Sequence, residues 1–276
     1  MARKPVTRAK TTEDRAGQVQ SLTRALGLLD AIAESHDGLT LSDLAELTGL
    51  APSTAHRLLT TLEAARFVRF EASQALWQIG IQAFVVGNAF VRTRDVTAIA
   101  RPHMRRLRDD CGETVNLYIE DDGEVVCMIQ VESREMMRAI SRPGGRVRMH
   151  VSGAGKAMLA HIDDDRLSAL ILRHGLKRYT AKSIDSPAKL RAELARIRER
   201  GFSVDDEENA VGLRCVAAPI LDEDGNPVAA ISLSGPTARM SDEDVARYGR
   251  RVRAAARDIT LHYGGQTDWH PKSETA

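Results

Sequence analysis

Between residues 18 and 80 the apolar side chains form three short helical periods followed by two β-prone runs, an order that leaves few folds open. Along 18–35, Val19, Leu22, Leu26, Leu29 and Ile32 recur at helical spacing, and Ala25 and Leu28 widen the stripe. His36-Asp37-Gly38 breaks it. Thr40 is placed to N-cap a second helix, with Asp43 in the capping-box position three residues on. That helix carries Leu41, Leu44, Ala45 and Leu47 and stops at Gly49. Leu50-Ala51-Pro52-Ser53 opens a third, with Leu58, Leu59 and Leu62 facing inward, which runs out near Ala65 or Arg66. Phe67 to Phe70 and Leu76 to Ile79, around a polar tip, predict a hairpin. Three helices and a hairpin make a winged helix-turn-helix arrangement, assigned here to 18–80, with a linker helix over 81–94.

A helix that enters the major groove must expose short polar side chains and bury its other face. Ser53, Thr54, His56, Arg57, Thr60 and Thr61 sit opposite or beside the leucine stripe, and Arg57 suits a bidentate base contact. Arg69, beside the hairpin, is placed for a neighbouring phosphate. A plain helical bundle with a solvated polar face fits the same pattern. Charge favours that simpler reading: Asp30, Glu34, Asp37, Asp43, Glu46, Glu63 and Glu71 outnumber Arg24, Arg57, Arg66 and Arg69. If the unit reads DNA, more than one copy is needed, helped by the basic tail over 1–17 (Arg3, Lys4, Arg8, Lys10, Arg15).

From residue 95 to 264 the pattern changes to an α+β domain, followed by a tail over 265–276. Helices are expected over 95–110, 155–160, 164–174, 187–200 and 241–263, with strands over 114–119, 125–131, 216–221 and 228–234. Ser152-Gly153-Ala154-Gly155-Lys156-Ala157 resembles a phosphate loop only superficially. His150 stands where the first glycine is needed, and Ala157 follows the lysine. The run reads better as a small-residue turn opening a helix. Its Gly153 and Ala154 amides either take a small anion or only pack closely. Ser232 and Ser234 share one strand face and need partners from backbone or ligand. The run Asp205 to Glu208 reads, by itself, as a solvated loop, and Cys215 as a buried small hydrophobe.

Composition narrows the class further. The net charge is +1 and aromatic content is 4%, too little for a single-strand stacking platform. No signal-peptide pattern precedes the first helix, and no apolar run reaches the ~18 residues of a membrane span. Cys111, Cys127 and Cys215 show neither pairing nor metal spacing, so reduced thiols in the cytoplasm are expected, with no cofactor or metal.

Several runs together resemble the IclR family of bacterial regulators. They are Val19 to Leu26, Ser53 to Leu59, Trp77 to Gly80, Gly112 to Asn116, His150 to Ala157, Asp206 to Glu208 with Gly212 to Cys215, and Ile231 to Pro236. The branch they most resemble is the glyoxylate-responsive one, which includes the glyoxylate-bypass and allantoin-pathway repressors. The resemblance implies a C-terminal GAF-like antiparallel-sheet effector domain. It also implies a homo-oligomer (dimer or dimer of dimers) on a double-stranded DNA operator, and a small carboxylate effector such as glyoxylate. Carried over motif by motif, it points to Gly153, Ala154, Asp205, Cys215, Ser232 and Ser234, with apolar walls from Met136, Val147 and Leu213. Ala139 stands where the branch carries methionine, which enlarges the expected site. Competing expectations are a sensor of aromatic or longer acids, an enzyme using Cys215 or Asp205, and a DNA-binding scaffold without a ligand.

Overall fold

The computed structural model of the chain describes residues 19–35, 37–93, 96–136, 138–139 and 141–267, with the side chains of 88–93 outside that description. The expected basic tail, His36, the boundary at 94–95 and residues 268–276 of the expected C-terminal tail also fall outside it. The chain divides into two compact units, 1–93 and 94–276.

In the first unit, α1 (Gln20–Glu34), α2 (Leu41–Thr48) and α3 (Pro52–Ala64) precede a hairpin of β1 (Val68–Glu71) and β2 (Leu76–Ile79), and α4 (Ile81–Thr93) follows. The leucine periods meet as expected: Leu28, Ile32, Leu44, Ala55 and Leu59 bury against Val68 and Trp77 of the hairpin. The Thr40 hydroxyl accepts the Asp43 amide at 3.2 Å, and the Asp43 carboxylate accepts the Thr40 amide at 3.3 Å, which closes the capping box. Gly49 ends α2 at φ 66°, a left-handed conformation that suits a residue without Cβ. One pairing escapes the sequence pattern. Leu39 and Trp77 exchange backbone hydrogen bonds of 3.0 and 2.8 Å, tying the wing to the start of α2.

In the second unit, α5 (Val96–Cys111) leads into β3 (Thr114–Asp121), β4 (Glu124–Val131) and β5 (Arg146–Arg148). Next come α6 (Gly153–Leu159), α7 (Asp164–His174), α8 (Pro187–Arg200), β6 (Ser203–Asp206), β7 (Leu213–Leu221), β8 (Pro227–Pro236) and α9 (Asp242–Tyr263). The strands form one sheet in the order β5-β4-β3-β8-β7-β6, and every pair is antiparallel. Alternation along the strands sorts the two faces. Val115, Leu117, Val216, Ile231 and Leu233 pack with Met104, Leu107, Val252 and Ile259 of α5 and α9. Tyr118, Cys127, Ala217 and Ala230 pack with Ala157, Met158, Leu167 and Leu194 of α6, α7 and α8. Central β3 and β8 are therefore buried on both faces.

Two edge strands were not expected. β5 is three residues long. β6 corrects the acidic-loop reading: Ser203–Asp206 is a strand, and Asp205 is only 2% exposed.

Candidate effector site and DNA-reading surface

Ser53, His56, Arg57, Thr60 and Thr61 are exposed on α3, Thr54 is half-buried, and Ala55 and Leu59 face the core. The helix thus has the split that groove entry requires. Its hydroxyls are partly committed. Thr60 donates to the His56 carbonyl at 2.5 Å and Thr61 to the Arg57 carbonyl at 2.9 Å, which leaves their oxygens as acceptors. Among the described residues no side chain bonds to the Arg57 guanidinium, and only its carbonyl enters these bonds. Arg69 is exposed on β1. The wing also presents Phe70, its ring tilted against Trp77 with centroids 5.0 Å apart and still exposed.

The second candidate site lies on the sheet face beneath α6. Strand register sets the residues in rows. Asp205, Cys215, Ser234 and Thr114 are successive cross-strand neighbours, and Ser203, Ala217, Ser232, Asn116 and Gln130 form the next row. Sequence separates these residues widely, and antiparallel pairing alone brings them together. The start of α6 closes over them. A Cβ on Gly153 would lie 3.5 Å from the Cβ atoms of both Ala217 and Cys215. The Ser203 hydroxyl donates to the Gly153 carbonyl at 2.5 Å. Ser152 caps α6 by accepting the Gly155 amide at 2.8 Å. The Gly153 and Ala154 amides, in the first turn, have no intrahelical acceptor. Ser232 Oγ, Asn116 Nδ2 and Glu208 Oε2 are buried with no hydrogen-bond partner.

Charge in the site is tightly managed. The Lys156 ammonium is fully buried and donates to the Val204 carbonyl at 2.6 Å and to the Glu208 carboxylate. The Asp205 carboxylate accepts the Glu208 amide at 2.8 Å and the Asn209 amide at 3.3 Å. Burial nevertheless pushes Asp205 up to about 7, with Lys156 opposing the shift and Glu208 adding to it. Burial also pushes the Cys215 thiol far up, and neighbouring Asp205 reinforces it. A thiol held protonated in this way is a poor nucleophile. The Tyr118 phenol is raised as well, chiefly by burial.

Asp205 gives a sign-definite prediction. Its folded pKa lies above the unfolded value, so the folded state keeps a proton that the unfolded chain releases between about pH 4 and 7. Its contribution to stability is present below about pH 4 and is lost as pH rises to about 7. Urea unfolding across this range will show D205N with a flatter pH dependence than the parent chain. D205N is also expected to be relatively more stable at pH 8 than at pH 4.

Of the expected walls, Val147 packs on the α6–α8 side of the sheet. Leu213 is half-buried at the start of β7, opposite Pro236. Met136 departs from expectation. It is 97% exposed, in the connection between β4 and β5, and walls nothing here. Asn116, Gln130, Tyr118, Lys156 and Glu208 were not among the expected site residues. The one available signal was that Asn116, Lys156 and Glu208 fall inside the quoted runs.

A winged helix-turn-helix unit followed in sequence by a domain with a buried polar sheet face is the make-up of a DNA-binding transcriptional regulator. The sequence profile described as the IclR helix-turn-helix domain matches residues 21–72. The profile described as the bacterial transcriptional regulator IclR C-terminal domain matches residues 88–261. The chain belongs to the IclR family. It is 46% identical to the acetate operon repressor of Salmonella typhimurium, over 95% of this chain and 96% of that protein. It is 39% identical to the HTH-type transcriptional repressor AllR of Escherichia coli, over 89% of this chain and 90% of that protein. The crystal structure of the IclR protein of Thermotoga maritima superposes with a TM-score of 0.75 at 30% identity, covering 90% of this chain and all of that one (100%). The family and these relatives are transcriptional regulators and not enzymes, which sets aside the expectation of catalysis by Cys215 or Asp205.

Proposed function

We propose that this chain represses transcription from an operator whose occupancy is controlled by a small carboxylate, glyoxylate or a related 2-oxo acid. In this reading Ser53, Thr54, His56, Arg57, Thr60 and Thr61 face base edges and phosphates, and Arg69 takes a flanking phosphate. The effector's carboxylate rests on the Gly153 and Ala154 amides and the Ser234 hydroxyl, with Ser232 facing the rest of the acid. Asp205 and Cys215 form the floor, and Val147 and Leu213 border it. The observation that carries the reading is the unpartnered buried Ser232 hydroxyl beneath a helix start whose first amides have no intrahelical acceptor.

An oligomer follows from charge and from surface. The acidic balance of 18–80 makes one copy a weak DNA ligand. Val19 at the N-cap of α1, Leu22 and Leu26 on α1, and Ile81, Phe84 and Val85 on α4 leave apolar side chains exposed for a second copy. A cytoplasmic location accords with an operator target. Among the described residues no helix is long and apolar enough to cross a membrane.

Effector binding and operator binding are linked, so each must change the other's affinity by the same factor. Millimolar glyoxylate will raise the melting temperature and shift operator affinity in a gel or anisotropy titration, and S234A will blunt both effects. If glyoxylate and pyruvate change neither quantity, the effector assignment fails. A response only to aromatic or longer acids replaces the effector and keeps the site.

A further inference from the structure

Asn116 is fully buried on β3, on the sheet face that α6 covers. Its row runs from Ala217, under Gly153, through Ser232 to Asn116 and on to Gln130. Gln130 Nε2 donates to Asn116 Oδ1 at 3.0 Å. That bond fixes the carboxamide, with its oxygen engaged by Gln130 and Nδ2 left over as the free donor. Nδ2 is buried and has no hydrogen-bond partner. On the next strand, Ser232 is 2% exposed and its Oγ also lacks a partner. A folded chain rarely leaves two cross-strand neighbours with unmade hydrogen bonds unless another molecule completes them.

We infer that Asn116 and Ser232 read the oxygen on C2 of the effector, with Gln130 as the positioning residue. That oxygen is the carbonyl of a 2-oxo acid or a hydroxyl of its hydrate. The inference rests on the carboxylate reading above and adds which acids the site prefers. Neighbouring strands lie about 4.8 Å apart. Ser232 is therefore one strand, and Asn116 two strands, beyond the ground beneath Gly153. The proposal places the carboxylate at the α6 end of this row and C2 on the side of Ser232 and Asn116, whose side chains extend toward it. An acid of the same size whose C2 is a methyl group leaves both polar groups unmet. The site is then selective for 2-oxo acids over plain alkanoic acids, because the buried polar groups penalise the wrong ligand.

The test is calorimetric titration of the full chain with glyoxylate and with acetate. The parent chain will prefer glyoxylate. N116A will lose about tenfold or more in glyoxylate affinity and less than about threefold in acetate affinity, so the ratio collapses. Q130L, which frees the carboxamide, will lower the ratio by a smaller factor. S232A removes a hydroxyl with no partner in the fold, so it tests the same ratio if N116A does not fold. S234A, on the carboxylate side, will weaken both acids together. An unchanged ratio in N116A and S232A overturns the inference and leaves the carboxylate reading standing. Equal loss of both acids in those variants makes the pair structural and also overturns it. If the parent chain binds neither acid, the carboxylate reading itself fails.

Discussion

Replacing Lys156 with methionine is expected to cost the second unit about 3–5 kcal/mol, because it strands a buried carboxylate. Among the described residues Lys156 is the largest fully buried side chain, and Glu208 is 9% exposed. One oxygen of Glu208 meets the ammonium, and the other has no partner in the fold. Without Lys156 that carboxylate has no counter-charge, and Glu193 nearby adds repulsion. The penalty is limited by protonation. Burial already raises the Glu208 pKa, so an unpaired Glu208 becomes neutral as pH falls. The K156M deficit in urea unfolding will thus be larger at pH 8 than at pH 5. Replacing both partners, K156M with E208L, will restore most of the lost stability, since an apolar pair needs no counter-charge. A single variant as stable as the parent at pH 8 would show that the pair contributes nothing.

This lysine marks where sequence reading stops. The run His150 to Ala157 was legible as a helix start and as a failed phosphate loop, yet it offered no partner for its lysine. The partner lies across the sheet in β6 and the turn after it, which the sequence presents as an acidic run. Side-chain charge suggests solvent for such a run. Strand pairing with β7 overrules that and puts Asp205 opposite Cys215. The first unit was easier because its signals are local. A capping box, a glycine stop and leucine periods act within a few residues. Its wing was found, but the bridge from Leu39 to Trp77 was not, since one pair of residues leaves no period. In the second unit the long strands and helices were readable to within a few residues. β5 and β6 were too short to show alternation. The rows beneath α6 depend on register across four connections, and no single segment contains them. Ser232 and Ser234 could be seen as a pair on one strand, but Asn116 could not be placed beside them without the order β3-β8.

Gly155→Ala is expected to cost the second unit about 3 kcal/mol or more. The added Cβ would stand 2.7 Å from the Met149 carbonyl carbon and closer still to the Met149 Cα and oxygen. All three are main-chain atoms, so no rotamer change relieves the clash. Met149 cannot retreat easily, because it opens a buried turn, Met149–Val151, that runs directly into α6. The helix start must move instead. It is pinned from the other side by Ser203 on the Gly153 carbonyl and by Cys215 and Ala217 beneath Gly153. For a unit of this size the loss corresponds to a fall in melting temperature of about 6–12 °C. Displacing α6 also separates the Gly153 and Ala154 amides from the serine row, so acid binding will disappear along with stability. Gly153→Ala provides the contrast. Its Cβ meets neighbours no closer than 3.5 Å, an ordinary contact, so the fold will tolerate it while the methyl narrows the space above Cys215. Calorimetry of the two variants, with and without glyoxylate, separates a helix start that must sit close to the Met149 backbone from one that only borders the site. If Gly155→Ala melts within about 2 °C of the parent chain, the close approach of Gly155 to Met149 is not what positions α6.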